Sequence, residues 1–84
     1  MKIRFFGTTG CKNCLKVFVL IKRCEIDFEY IDADEDENQE ICDRYNVDEL
    51  PHLQFLDDKN EILRELKGTV DEEDFLSCVI DVFL

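Results

Sequence analysis

The 84-residue sequence has no tryptophan, a single proline, three glycines and no long hydrophobic run. Its longest apolar block spans residues 17–21, far short of the ~18 apolar residues that a transmembrane helix requires. The apolar stretch after Met1 is also too short for a signal peptide, and no small-residue cleavage site follows it. We therefore expect a cytoplasmic protein without a membrane partner, folded as one domain over residues 1–84.

Acidic residues are absent from the first 24 positions, although the chain as a whole is strongly acidic. Six lysines and arginines give this segment a charge of +6, and the total of −11 leaves −17 for the rest. A pI near 4.3 argues against nucleic acid as a partner, because phosphate binding needs a cationic surface. We expect the acidic run at 32–40 to be a solvated helix face, and the alternative is a docking surface for a basic partner.

Five cysteines are an odd number, which a small secreted scaffold with paired cysteines would tend to avoid. A reducing compartment tolerates free thiols, so the count agrees with catalytic sulfur atoms. Cys24, Cys42 and Cys78 lie on or beside apolar helical faces, and we expect them to pack as small hydrophobic residues. Cys11 and Cys14 differ from these three because only Lys12 and Asn13 separate them.

The Cys11–Cys14 pair lies between an apolar run at residues 3–6 and a helical pattern, which predicts a junction from strand to helix. The free N–H groups and the positive dipole end of a helix favour a thiolate, and Lys12 adds a cation. We therefore expect the pKa of Cys11 to lie below its ordinary value. Cys14 lies three residues on, within disulfide reach. This predicts Cys11 as the nucleophile of a thiol–disulfide exchange and Cys14 as the resolving thiol.

Periodicity and turn residues predict the element order βαβαββα. The strand–helix–strand start implies a right-handed crossover and parallel pairing of the first two strands. We expect Asp34, with Glu37, to cap the second helix, and Thr69, with Glu72, to cap the third. The predicted strands span 2–7, 27–32, 50–56 and 61–66, and the predicted helices span 11–24, 36–45 and the residues after Thr69.

Apolar residues of the first helix predict which side of it is buried. Cys14, Phe18 and Ile21 share one face, with Leu15 beside them, and we expect this face to pack on the sheet. Leu20 falls among the lysines, and we expect it to be partly exposed.

These features together resemble the thioredoxin and glutaredoxin superfamily. The chain has a CxxC after the first strand of a βαβ unit, and Pro51 opens a strand 37 residues after Cys14. The resemblance covers essentially the whole chain. It implies an α/β thioredoxin-like fold, with a four-stranded mixed sheet and three helices, and a cis Leu50–Pro51 bond beside the two sulfur atoms. The substrate-binding residues that it implies are Lys12, Leu50, Pro51, Gly68 and Thr69.

The sequence also departs from the patterns of that superfamily. Lys12 and Asn13 replace the proline that usually lies between the cysteines, and Phe5 aligns with the buried acid of thioredoxins. The resemblance therefore implies no bound cofactor and an incomplete site for glutathione, so a disulfide-containing protein is the better substrate. The positions that often bind glutathione in glutaredoxins hold Thr8, Leu50 and Gly68.

The main hypothesis is a monomeric dithiol oxidoreductase, which a thioredoxin reductase-type enzyme or glutathione would reduce again. Two alternatives stay open: a noncatalytic binding module that uses the acidic surface, and a metal or cluster carrier that uses the CxxC pair across a dimer. We expect no metal site, because the possible further ligands lack the paired short spacing of a closed zinc site. Those ligands are His52, Cys42 and Cys24. We expect His52 to be a strand residue beside the site and not a proton shuttle.

Overall fold

A computed structural model describes residues 1–84 and shows the predicted βαβαββα order. The strands are β1 (Lys2–Gly7), β2 (Phe28–Asp32), β3 (His52–Leu56) and β4 (Ile62–Lys67). The helices are α1 (Lys12–Arg23), α2 (Gln39–Arg44) and α3 (Glu72–Phe83), and a 3-10 turn at Asp36–Asn38 precedes α2. None of the helices is both long enough and apolar enough to span a membrane.

The four strands form one mixed sheet in the order β2-β1-β3-β4. The β1 and β2 strands are parallel, as the strand–helix–strand start predicts, whereas β3 is antiparallel to both β1 and β4. Phe6 of β1 lies opposite His52 of β3, so continuing the register by one residue brings Pro51 beside Gly7. The Leu50–Pro51 bond is cis, as expected.

Alternation of side chains along the strands divides the core between the two faces of the sheet. On one face, the apolar side chains of β1 and β3 pack with α1 and α3; on the other, Phe6 and Ile31 pack with Cys42 of α2. The larger cluster contains Ile3, Phe5, Cys14, Val17, Leu20, Ile21, Leu53, Phe55, Phe75, Cys78 and Val82.

Cys14 and Ile21 are buried on α1 as predicted, but Leu15, Phe18 and Leu20 are not placed as predicted. Leu20 is only 9% exposed, whereas Leu15 is 64% and Phe18 is 40% exposed. Leu20 joins the same cluster as Phe75 of α3, so α1 contacts a helix as well as the sheet. The spacing of apolar residues in one helix does not indicate where a second helix packs. The prediction for these three residues was wrong for this reason.

Both predicted helix caps were also wrong. The chain enters α2 through the 3-10 turn, and the carboxylate of Asp34 accepts a hydrogen bond from the Thr8 hydroxyl instead of capping the helix. The α3 helix begins at Glu72 after Asp71, and no side chain caps its first turn. Three acidic side chains in that turn interact favourably with the positive end of the helix dipole. The α3 helix therefore has electrostatic stabilisation at its N-terminus without a capping box.

Candidate active site

Cys11 and Cys14 form a disulfide at the junction between β1 and α1. Cys11 is the N-cap residue of α1, with extended backbone angles, and Cys14 lies in the first helical turn. Their Cα atoms are 5.2 Å apart, within the ordinary range for a disulfide. Cys11 is half-buried and Cys14 is only 4% exposed. An incoming thiol or disulfide therefore reaches the Cys11 sulfur more easily than the Cys14 sulfur.

The N-terminus of α1 provides a hydrogen bond and a positive field at the Cys11 sulfur. The backbone N–H of Cys14 donates to Sγ of Cys11 over 3.2 Å. No acidic residue lies in the first turn of α1, and the exposed Lys12 is the residue next to Cys11. A thiolate at Cys11 would keep this hydrogen bond in a stronger, charge-assisted form.

Gly7 permits β1 to end directly against the buried cysteine. A Cβ atom at Gly7 would lie 3.1 Å from Cε1 of Phe5, 3.2 Å from Cε1 of Tyr30 and 3.3 Å from Sγ of Cys14. These distances are tighter than ordinary contacts, so Gly7 serves close approach here and not a special backbone angle. Sequence reasoning did not identify Gly7, and its position at the end of a strand before the CxxC was the available signal.

The loop that contains Leu50 and Pro51, here called the proline loop, lies beside the same end of β1. The register of β1 and β3 brings Pro51 next to Gly7, which contacts Cys14. The carbonyl of Pro51 accepts a hydrogen bond from the Gly68 N–H over 3.0 Å. The backbone N–H and carbonyl of Leu50 have no hydrogen-bond partner in the chain. The structure thus brings Leu50, Pro51 and Gly68 together, with Thr69 directly after Gly68.

An apolar groove of about 610 Å³ opens beside Cys11, on the side of β2. Phe28 and Tyr30 are two residues apart and therefore lie on the same face of β2. Each contacts an aromatic neighbour edge to face. Phe18 meets Phe28 at 5.9 Å, and Phe5 meets Tyr30 at 5.3 Å between ring centres. Sequence reasoning missed this groove, although the period-two placement of Phe28 and Tyr30 was a signal for it. The lining also includes Thr8, Thr9, Gly10, Lys12, Cys14 and Leu15.

Burial and nearby carboxylates shift several titratable groups toward their protonated forms. Burial raises the pKa of Tyr30, and the negative charges of Asp32 and Asp34 raise it further. Burial also raises the pKa of the Cys42 and Cys78 thiols. Both thiols are therefore poor nucleophiles, in contrast to the environment at Cys11.

The other candidate residues lie away from the disulfide or contact other groups. His52 is buried on β3, where Nε2 lies 2.7 Å from Oε2 of Glu65 and the ring packs on Phe6. Nδ1 of His52 has no hydrogen-bond partner. Cys24 is a half-buried free thiol at the end of α1. No group of three or more His, Cys, Asp or Glu side chains is arranged to hold a metal ion.

Comparisons with known proteins show that the fold is similar to that of solved thioredoxins. No protein-family model and no curated protein sequence matches the chain. Thioredoxin 1 from Thermosipho africanus is similar with a TM-score of 0.78 and 23% identity, over 99% of this chain and 94% of that one. Oxidised thioredoxin O2 from Arabidopsis thaliana has a TM-score of 0.82 and 22% identity, over 99% and 75%. A thio-disulfide isomerase from Thermus thermophilus has a TM-score of 0.65 and 11% identity, over 96% and 78%.

These likenesses, together with the mixed sheet and three helices, show that the chain has the thioredoxin fold. The fold class predicted from the sequence is therefore confirmed.

Proposed function

We propose that this protein is a thiol–disulfide oxidoreductase that acts on disulfides of other proteins. The observation that supports it most is the environment of the two cysteines. Cys11 caps a helix, is accessible and receives an N–H hydrogen bond, whereas Cys14 is buried behind it. This asymmetry suits one attacking sulfur and one resolving sulfur.

The reaction in the reducing direction has two exchanges. The Cys11 thiolate attacks one sulfur of the target disulfide, which forms a mixed disulfide and releases the other target sulfur as a thiolate. The Cys14 thiol then loses its proton and attacks Cys11, which forms the Cys11–Cys14 disulfide and releases the second target sulfur. The target gains two electrons and the protein loses two. The reverse sequence would oxidise a dithiol.

The proline loop supplies a second part of the proposed site. An extended target segment can pair with the free N–H and carbonyl of Leu50, in the loop that precedes β3. Pro51, Gly68 and Thr69 would border this segment, and Lys12 would lie on its opposite side, near Cys11. Such backbone pairing requires an extended chain but no particular side chain. A protein segment meets this requirement, so the pairing supports protein targets.

A trapping experiment tests this proposal. We expect the Cys14→Ser variant to attack a disulfide and remain as a stable mixed disulfide, because the resolving thiol is missing. The Cys11→Ser variant should form no adduct and reduce no disulfide. Cys24→Ser, which removes a free thiol outside the pair, serves as the matched control and should turn over normally. Adducts are counted by intact mass spectrometry without reductant.

Three results would contradict the proposal. An adduct with Cys11→Ser but none with Cys14→Ser would reverse the roles of the two sulfurs. A protein without any disulfide exchange would indicate the binding module, and metal retained on the reduced cysteines would indicate the carrier.

A further inference from the structure

The lysines of α1 lack ionic partners in a protein with 21 acidic residues. Lys12, Lys16 and Lys22 are exposed and form no ion pair. The only other lysine or arginine without an ion pair is Lys59, in the turn between β3 and β4. The cations without a partner are therefore concentrated on one helix.

Apolar side chains lie between these lysines on the outer side of α1. Leu15 is 64% exposed and Val19 is 45% exposed. Each lies three residues after a lysine, Leu15 after Lys12 and Val19 after Lys16. Residues three or four apart are neighbours on a helix surface, so all four lie on one side of the helix. A second groove, of about 420 Å³, runs along this side between Leu15, Val19 and Val70, and its one acidic lining residue, Glu72, is paired with Arg23. Exposed apolar residues grouped in this way are typical of interaction surfaces.

This surface starts at the reactive disulfide. The helix begins at Lys12, next to Cys11, and its 12 residues extend for about 18 Å at the usual rise per residue. Leu15 and Lys12 also line the groove that opens at Cys11. A protein that places its disulfide at Cys11 would therefore lie against the outer side of α1.

We propose that the outer side of α1 is the docking surface for an acidic partner protein that exchanges disulfides with Cys11. We define the α1 surface by Lys12, Leu15, Lys16, Val19 and Lys22. The partner would carry carboxylates and apolar side chains next to its reacting cysteine. This inference rests on the proposed oxidoreductase function and specifies the class of protein on which it acts.

The charge distribution of the whole molecule supports an acidic partner. The chain carries −11 overall, and its first 24 residues carry +6. An acidic partner is repelled by most of this protein and attracted by the α1 surface, so the long-range field would orient it with its disulfide toward Cys11. A basic partner would be attracted elsewhere, to the acidic remainder, and would be held away from the sulfur.

Two disulfide peptides test the proposal with the reduced, full-length protein. Each peptide has one cysteine, oxidised to the homodimer, beside a leucine; one version carries four glutamates and the other four lysines. Each reduction oxidises the protein dithiol and releases two peptide thiols, which are followed by chromatography. Each rate is divided by the rate of the same variant with the small uncharged disulfide of 2-mercaptoethanol.

We expect the wild type to reduce the glutamate peptide about tenfold faster than the lysine peptide at low salt. The ratio should fall to about twofold in 0.5 M NaCl, because exposed charges are then screened. Lys16→Glu should lower the low-salt ratio by about threefold or more. Lys59→Glu, with the same charge change at the opposite end of the sheet, should keep it. Leu15→Ser should slow both peptides by a similar factor.

Several outcomes would overturn the docking surface. The first is a ratio that neither salt nor Lys16→Glu changes, and the salt series needs only the wild type, so it remains decisive if a variant misfolds. The second is a salt-sensitive dimer of the wild type in sedimentation at assay concentration, which would identify a second copy as the occupant. A wild type that reduces all disulfides without a charge preference refutes the docking surface alone. A wild type that reduces none, including the small one, refutes the proposed function itself.

Discussion

The pKa of Cys11 is the most direct test of how the fold prepares this site. In the Cys14→Ser variant, the resolving sulfur is absent but the backbone N–H that donates to Sγ of Cys11 is kept. The measurement therefore reports the helix N-terminus itself. We expect the thiol of Cys11 to ionise well below the ~8.5 of a free cysteine.

The size of the shift follows from two interactions. A hydrogen bond to a charged group is worth about 1 to 1.5 kcal/mol more than one to a neutral group. The helix dipole adds about 0.3 to 1 kcal/mol for a negative charge at the N-terminus. Together the two interactions favour the thiolate over the thiol by about 1.3 to 2.5 kcal/mol, so the pKa of Cys11 lies below that of a free cysteine. At pH 7 the thiolate fraction of Cys11 therefore exceeds the about 3% of a free cysteine.

The assay is the rate of alkylation by iodoacetamide against pH, with the modified cysteine identified by peptide mass spectrometry. The raised pKa values of Cys42 and Cys78 separate their reaction from that of Cys11. Lys12→Gln should raise the pKa of Cys11 only slightly, since Lys12 is exposed and its charge is screened. Lys59→Gln should not change it. A pKa at or above about 8.5 would refute the reasoning.

Three further predictions concern packing and stability. Leu20→Ala should lower the free energy of unfolding, measured by urea denaturation, by about 2 to 4 kcal/mol. Leu15→Ala on the same helix should change it by less than about 0.5 kcal/mol. Equal effects of the two substitutions would contradict the burial of Leu20. Gly7→Ala should destabilise the protein by about 1 to 3 kcal/mol, because the added methyl group overpacks the strand end, and a melting temperature equal to that of the wild type would contradict this close approach. Because burial raises the pKa of Cys42 and Cys78, the unfolded chain releases these protons first as pH rises. In the oxidised protein, where Cys11 and Cys14 do not titrate, the contribution of these two thiols to the free energy of unfolding should be constant below the ordinary cysteine pKa and fall above it. Replacing both by alanine should flatten that fall in urea denaturation at increasing pH, and an unchanged fall would contradict the burial of the two thiols.

The order of elements and the place of the CxxC could be predicted from the sequence because they depend on short-range patterns. Alternation over a few residues indicates a strand, and a repeat of three to four indicates a helix. The cysteine pair follows a strand and precedes a helix, so Cys11 could be placed at a helix N-terminus without knowing any contact. The strand after Pro51 could be recognised in the same way, and the cis bond then agreed with the resemblance.

The predictions that were wrong depended on contacts between elements that are distant in the sequence. Leu20 is buried in a cluster that also contains side chains of α3, and Asp34 does not cap α2 because it pairs with Thr8 from another loop. The spacing of residues that are close in the sequence indicates neither contact.

By itself the sequence determined the fold class, the place of the Cys11–Cys14 pair at a strand-to-helix junction and the concentration of lysines at one end of the chain. Only the tertiary structure decided that Cys14 is buried against Gly7 and that Leu15 faces solvent beside unpaired lysines. It also decided that Leu50 keeps its backbone hydrogen-bonding groups free. The physical reason is that periodicity sets which residues share a face of one element, whereas burial and partnership depend on which other elements pack against that face.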